Sequence, residues 1–438
     1  LKYTLILIIL FNLLEINRCF AGYLPETSDD FFSEYDVRAE DRIYVEYVKT
    51  VLLHPENFEI GLPVYHVGSS ESLLLQFDAL TRDIQSFNVK VFLCNQFWKP
   101  YNLLDNEYLN GFNGVPVTEY QRSFNTAYPY VHYSFKFPNA EMNPIRSGNF
   151  LLVVMDTDTD TPILSRRMYV AENKGDVSLS TGPTVIVKDR QYRQEVKFSV
   201  ETPVQIQAPY DNLSATVLQN LRPDNAYRGV PPSMVQGDAF SFDYNGKIVF
   251  DGTSEFRVLD TRSRTNPVQT VETIIRDEEG ILVYNLTADA LRRFRVYESS
   301  RDIDGSYVIR DDRSDNHAIE ADYVWVNFKL GVDGPSVLNG GNVYVLGEFC
   351  LWQPGHGNLM KYNSESKKYE VTMLMKQGYY NYMYGLGKEE NGFNLGEIEG
   401  DHSETINTYT VFVYYSDPSL GTDRILMYKT ALPTQQKF

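Results

Sequence analysis

Apolar residues in this chain recur in short runs with a period of two, and no stretch holds a helical period for long. Leu73–Phe77 (LLLQF), Asn88–Leu93 (NVKVFL), Val131–Phe137 (VHYSFKF) and Asn149–Met155 (NFLLVVM) are separated by clusters of Asn, Asp, Gly and Pro. Successive side chains of an extended strand point to opposite faces, so such runs build half-buried strands, and the residues between them favour tight turns. The pattern resumes in Val196–Val200, Ala215–Gln219, Phe240–Tyr244 and Phe256–Leu259, and again in Tyr323–Leu330, Asn342–Leu346, Tyr369–Leu374, Tyr379–Tyr384 and Tyr409–Tyr415. Only Ala288–Arg295 suggests a helical turn. An all-β chain of tandem immunoglobulin-like β-sandwich domains is expected, with blocks at residues 42–172, 173–315 and 316–438.

The first 21 residues place Lys2 before an apolar run, Leu5–Leu14, and end in Cys19-Phe20-Ala21, the layout of a secretory signal peptide. The run is short for a membrane span, which takes roughly 20 apolar residues. Residues 22–41 hold seven acidic residues against one Arg and show no apolar period, so a flexible acidic leader is expected there. Beyond residue 21 only Cys94 and Cys350 remain, too few for a disulfide-stapled scaffold. A formal charge of −18 disfavours nucleic acid and anionic membrane surfaces as partners.

The tract Cys94–Asn139 holds twelve Phe, Trp and Tyr residues and a single His. Large rigid rings without catalytic companions build cores and anchor interfaces, which argues for surfaces rather than chemistry. Val131–Phe137 reads as a core strand. The irregular part from Trp98 to Tyr130 is too long for a simple hairpin and reads as an ordered functional loop, with Trp98, Tyr101, Tyr108 and Phe112 as candidate contacts.

No arrangement of reactive groups stands out. The six His residues, at 54, 66, 132, 317, 356 and 402, include no pair four apart, and no nucleophile elbow, phosphate loop or dinucleotide fingerprint is present. Asp156–Asp160 (DTDTD) could gather calcium ligands but lacks the sixth-position Gly and distal Glu of a calcium loop, so it reads as a hairpin tip. Asp302-Ile303-Asp304-Gly305 is only a fragment of such a motif. Arg292, Arg293 and Arg295 could grip an anion or serve as surface ion-pair partners. Neither metal nor cofactor is expected.

Several ordered segments carry a family likeness: VLLHPENFEIGLPV (Val51–Val64), EYLNGF (Glu107–Phe112), SFNTAYPYVHY (Ser123–Tyr133), SGNFLL (Ser147–Leu152), SRRMYV (Ser165–Val170), VLQNLRPDNA (Val217–Ala226), EFRVLDTRS (Glu255–Ser263) and EGDHSETINTYTVFVYYSDPS (Glu399–Ser419). Over these the chain resembles the plug protein family of the Bacteroidetes type IX secretion system. The resemblance implies a periplasmic, non-enzymatic protein. It would be a monomer within a hetero-complex, docked on the outer-membrane translocon β-barrel without inserting into the membrane, closing its wide pore when no substrate passes. It transfers no catalytic residue. GEFCLW (Gly347–Trp352), followed by a Tyr-rich strand, is locally similar to starch- and glycogen-binding modules. That likeness implies an alternative, an exported α-glucan-binding protein using Trp352, Tyr380 and Tyr382.

Overall fold

The alternating runs pair into β-sheets in the computed structural model, which describes residues 31–266, 268, 270–387 and 392–431. The expected signal peptide, residues 1–21, lies outside the described residues. Val131–Phe137 shows why the pattern dictates pairing: Val131, Tyr133, Phe135 and Phe137 are buried, while His132, Ser134 and Lys136 face away from that core. It lies between Leu73–Ala79 and Glu119–Arg122, and Val48–Pro55 completes a four-stranded antiparallel sheet. This sheet packs on Phe87–Cys94, Gly148–Asp156 and Thr161–Ala171 around one core, the first β-sandwich.

Gly148–Asp156 departs from simple alternation, and every residue from Gly148 to Met155 is buried. Phe150, Leu152 and Val154 enter the first sandwich, whereas Leu151, Val153 and Met155 enter a second apolar layer on the opposite face. That layer exists because the first two sandwiches share one ten-stranded sheet, joined in parallel where Ala171 meets Ile425. Glu172 N–H to Ile425 O (3.0 Å) and Lys174 N–H to Leu426 O (2.7 Å) extend the joint. A sheet covered on both faces needs apolar residues at consecutive positions.

The described part of the acidic leader, residues 31–41, differs from the flexible segment expected. Phe32 and Val37 are buried in that second layer. Arg167 donates to Ala39 O (2.9 Å), and Asp41 pairs with Arg166 (3.2 Å). Tyr35 and Ala39 pack against the same layer, and the strand beneath presents two cations to the acidic run. Arg42–Ile43 then pairs with Leu164 and Ser165.

The second sandwich sets Asp176–Pro183, Arg193–Glu201, Met234–Gln236, Ala239–Phe242 and Val249–Asp251 against Leu213–Gln219, Tyr227–Val230, Tyr409–Asp417 and Thr422–Ala431. The third sets Val271–Arg276, Leu282–Leu286, Tyr323–Gly331 and Lys368–Lys376 against Arg257–Asp260, Tyr307–Ile309, Val343–Leu346 and Gly378–Gly387. Division in chain order at residue 315 therefore does not follow the cores. The last two strands return to the second sandwich, where Tyr409–Asp417 pairs with Leu213–Gln219. Arg257–Asp260, by contrast, belongs to the third. Leu213–Gln219 is buried at every position, so it needs a neighbour on each edge, and the returning strand supplies one. Instead of a helical turn, Asp289–Ala290 forms a short strand parallel to Leu330–Gly331.

Asp302–Gly305 is a structural turn where the chain returns. Asp302 accepts from Phe256 N–H (2.7 Å) and Asp304 N–H (3.0 Å), and Thr408 donates to Asp304. Burial, aided by the nearby Asp302 charge, pushes the Asp304 carboxyl up to about 6. A carboxyl whose folded value is raised adds stability that is complete below its ordinary value of about 3.9 and is lost as pH rises through about 6. Asp304→Asn keeps the left-handed backbone, at φ +53°, accessible and carries no charge. It is expected to remove at most about 1.4 kcal/mol of pH-dependent loss between pH 5 and pH 8, read by denaturant unfolding at the two values.

Candidate docking surface

The aromatic tract leaves the ten-stranded sheet through a tight turn. Asn95 Oδ1 accepts the Phe97 and Lys99 amides (3.0 and 2.9 Å), and Trp98 N–H reaches Asn95 O (2.9 Å). This geometry puts Trp98 at φ +67° and turns its indole inward. It lies edge-on to Tyr169 at 5.4 Å, with the Arg167 guanidinium 4.6 Å from its ring, and is only 3% exposed. Burial, only partly offset by the Arg167 charge, pushes the neighbouring Cys94 thiol up to about 12, so it is inert. The turn also reaches the second sandwich: Gln96 N–H donates to Asp423 (2.8 Å), and Ser214 donates to Gln96 (2.7 Å).

Tyr101 is half-buried and accepts from Asp423 N–H (2.9 Å). Tyr108 is buried and donates to Val91 O (3.1 Å) and Asp105 (2.8 Å). Desolvation, then the Asp105 contact, raises its phenol above the usual range, which keeps it a donor. Three of the four candidate contact rings are thus occupied in holding the tract down. Phe112 alone faces solvent, 71% exposed, at the end of the ribbon in which Leu109–Gly111 pairs with Met142–Pro144.

Around that ribbon lie aliphatic residues that the sequence did not single out. Arg146 donates to Glu107 O (2.6 Å) and to Leu420 O (3.1 Å), tying the tract to the turn that carries Leu420; Leu104, Ile145 and Leu420 are all exposed. Glu107 also caps Leu104 N–H (2.8 Å). Leu420 belongs to the second sandwich, in a turn more than 270 residues beyond Arg146 in the chain. No local signal could have connected them.

The far end of the tract docks on the third sandwich. The Ala127 and Tyr128 amides donate to the Asp322 carboxylate (3.0 and 3.2 Å), Phe124 N–H to Ile319 O (2.9 Å), and Tyr130 to Ala321 O (2.8 Å). Beneath them Asp78 receives Lys376 Nζ (2.6 Å), Tyr323 (2.8 Å) and His132 Nδ1 (2.7 Å), while the ammonium lies 4.1 Å from the Tyr130 ring centre. Burial alone would raise the Asp78 carboxyl, but Lys376 and His132 reverse this and hold it below the usual value. The same burial lowers Lys376 and Asp78 opposes that shift. The charged pair prevails at neutral pH because Asp78 collects two further donors. A bulge after Lys49, with Thr50 at φ +52°, turns Leu52 out of the first core and into the third.

The residues of the glycan alternative are placed differently from expectation. Trp352 is buried beneath the Arg222 guanidinium (4.9 Å) and against Phe256. Tyr380 and Tyr382 are buried in the third core. Their rings are used up by packing, and a sugar has no open face on which to stack. Asp156–Asp160 closes a hairpin in which Asp156 accepts the Asp158 and Thr159 amides and Asp160 accepts from Tyr35.

Tandem sandwiches locked by buried polar contacts, with single apolar side chains exposed at Leu104, Phe112 and Ile145, offer broad surfaces and no cluster of reactive groups among the described residues. Residues 48–172 match the family described as Type 9 secretion system plug protein 1st domain, in agreement with the likeness that the motifs of this span carry. The chain resembles the crystal structure of a hypothetical protein from Parabacteroides merdae ATCC 43184 at 28% identity and TM-score 0.86, over 90% of this chain and 100% of that one. A second match, the C-terminal domain of the Streptococcus pyogenes antigen I/II-family protein AspA, has 7% identity and TM-score 0.18, over 88% of this chain and 99% of that one. At that score it carries no argument. No curated protein matches the chain. No helix among the described residues is long and apolar enough to cross a membrane.

Proposed function

We propose that this protein is a plug subunit of the type IX secretion system. It works without enzymatic activity, binding the outer-membrane translocon barrel from the periplasmic side and closing its opening when no substrate passes. The match of residues 48–172 to the plug domain carries this reading. The architecture suits it, because occlusion needs a wide body that does not bend. A ten-stranded sheet shared by two sandwiches and a buried junction to the third supply one. Phe112, at the end of the ribbon, and Leu104, just ahead of the short turn Asp105–Glu107, are exposed and are the proposed contact residues. Trp98, Tyr101 and Tyr108 anchor the tract that carries them.

The test is co-purification of the tagged protein with the large outer-membrane barrel, together with entry of bulky solutes into cells lacking the gene. Recovery of the protein alone from gentle detergent extracts, with unchanged permeability in its absence, would overturn the reading. Phe112→Asp combined with Leu104→Asp is expected to weaken the complex at least about tenfold while leaving the unfolding midpoint near wild type, since neither side chain is in a core.

A further inference from the structure

We propose that the turn Arg292–Arg295 is a second contact with the translocon, in which Phe294 and Val296 enter an apolar socket rimmed by carboxylates; this rests on the plug reading above. Phe294 and Val296 are 88% and 92% exposed, the highest values for large apolar side chains among the described residues. Isolated exposed apolar residues are ordinary. These two are held out by a turn that is itself firmly anchored.

Arg295 N–H closes the turn on Arg292 O (2.8 Å), and Arg292 N–H bonds to Ile398 O (2.7 Å). The Arg292 side chain runs inward to the fully buried Glu399 (2.7 Å) and to Glu255 O (2.8 Å). Arg293 reaches Glu397 (3.2 Å), and its guanidinium lies 4.7 Å from the Phe294 ring centre. Gly400, at φ +82°, permits the close approach, for a Cβ there would meet Arg292 O and Arg293 Cα at 3.2 Å. A displayed ring whose backbone is already fixed loses little further freedom on binding, the condition under which one aromatic dominates an interface.

Charge selects the occupant. Arg292 and Arg293 are committed to Glu399 and Glu397, whereas Arg295 is exposed and has no ion-pair partner among the described residues. An apolar tip beside a free guanidinium complements an apolar pocket edged by carboxylates. An anionic lipid surface would also attract the guanidinium, but the remainder of a chain of net charge −18 is repelled by it.

Binding of the purified wild-type protein and its variants to the purified translocon decides the matter, at low and at high salt. Phe294→Ser with Val296→Ser is expected to weaken binding at least about tenfold. Arg295→Glu is expected to weaken it at low salt and to flatten its salt dependence, with circular dichroism and unfolding midpoint unchanged in both. Variants that bind as tightly as a binding wild type would overturn the turn and leave the plug reading standing. A wild type that does not bind would overturn both. Binding of wild type to phosphatidylglycerol vesicles, abolished by the Phe294 and Val296 changes, would overturn the protein socket in favour of a membrane.

Discussion

Lys376→Met is expected to lower the free energy of unfolding by about 3–5 kcal/mol, because it strands a carboxylate inside the junction between the first and third sandwiches. Asp78 and Lys376 are each no more than 2% exposed and meet at 2.6 Å. Without the ammonium, Asp78 keeps only Tyr323 and His132 as donors, and Tyr130 loses the cation against its ring. Asp78→Asn in the same background removes the stranded charge and should recover part of the loss. Guanidinium unfolding of both variants and the double variant measures this coupling. A Lys376→Met protein as stable as wild type would show that the junction is not held by charge. The sign with pH follows from Asp78. Its folded value is depressed, so its contribution is present above the ordinary carboxylate value and is lost as pH falls through the folded one. Acid is expected to open this junction, visible as increased amide exchange at Tyr130 and Tyr323.

Trp98→Ala is the second large effect, expected to cost about 3–5 kcal/mol through the cavity left between Tyr169 and Arg167. Phe112→Ala, fourteen residues along the same tract, should stay within about 0.5 kcal/mol of wild type, since its ring touches mainly solvent. Measured beside translocon binding, the pair separates support from contact. Trp98→Ala should lower the unfolding midpoint, and Phe112→Ala should lower affinity alone. The reverse outcome would place the indole at the interface and the phenyl in the fold.

Both residues were legible as important in the sequence for the same reason, an aromatic in an irregular tract poor in reactive groups. Their opposite fates were not legible. The inward turn of Trp98 follows from Asn95 capping two amides and forcing a left-handed backbone, and the ring that receives it, Tyr169, lies far along the chain. The Tyr-rich strand was more readable. Alternation alone put Tyr380, Tyr382 and Tyr384 on one face, and that face is core. The junction left no trace in sequence, because Asp78 and Lys376 are ordinary charges on two alternating strands until those strands meet.

The period of two and the turn residues between runs were enough, by themselves, to give an all-β chain of tandem sandwiches, and the ordered motifs of the first block to give its likeness to the plug domain. These are local properties, set by which face each side chain takes and which backbone angles each turn allows. Tertiary structure decided which strands share a sheet and which turns meet: Tyr409–Asp417 returning to Leu213–Gln219, the first two sandwiches fused through Ala171 and Ile425, and Arg146 brought to Leu420. Pairing of distant strands is chosen by the summed burial of both faces and both edges, a quantity that no single strand contains.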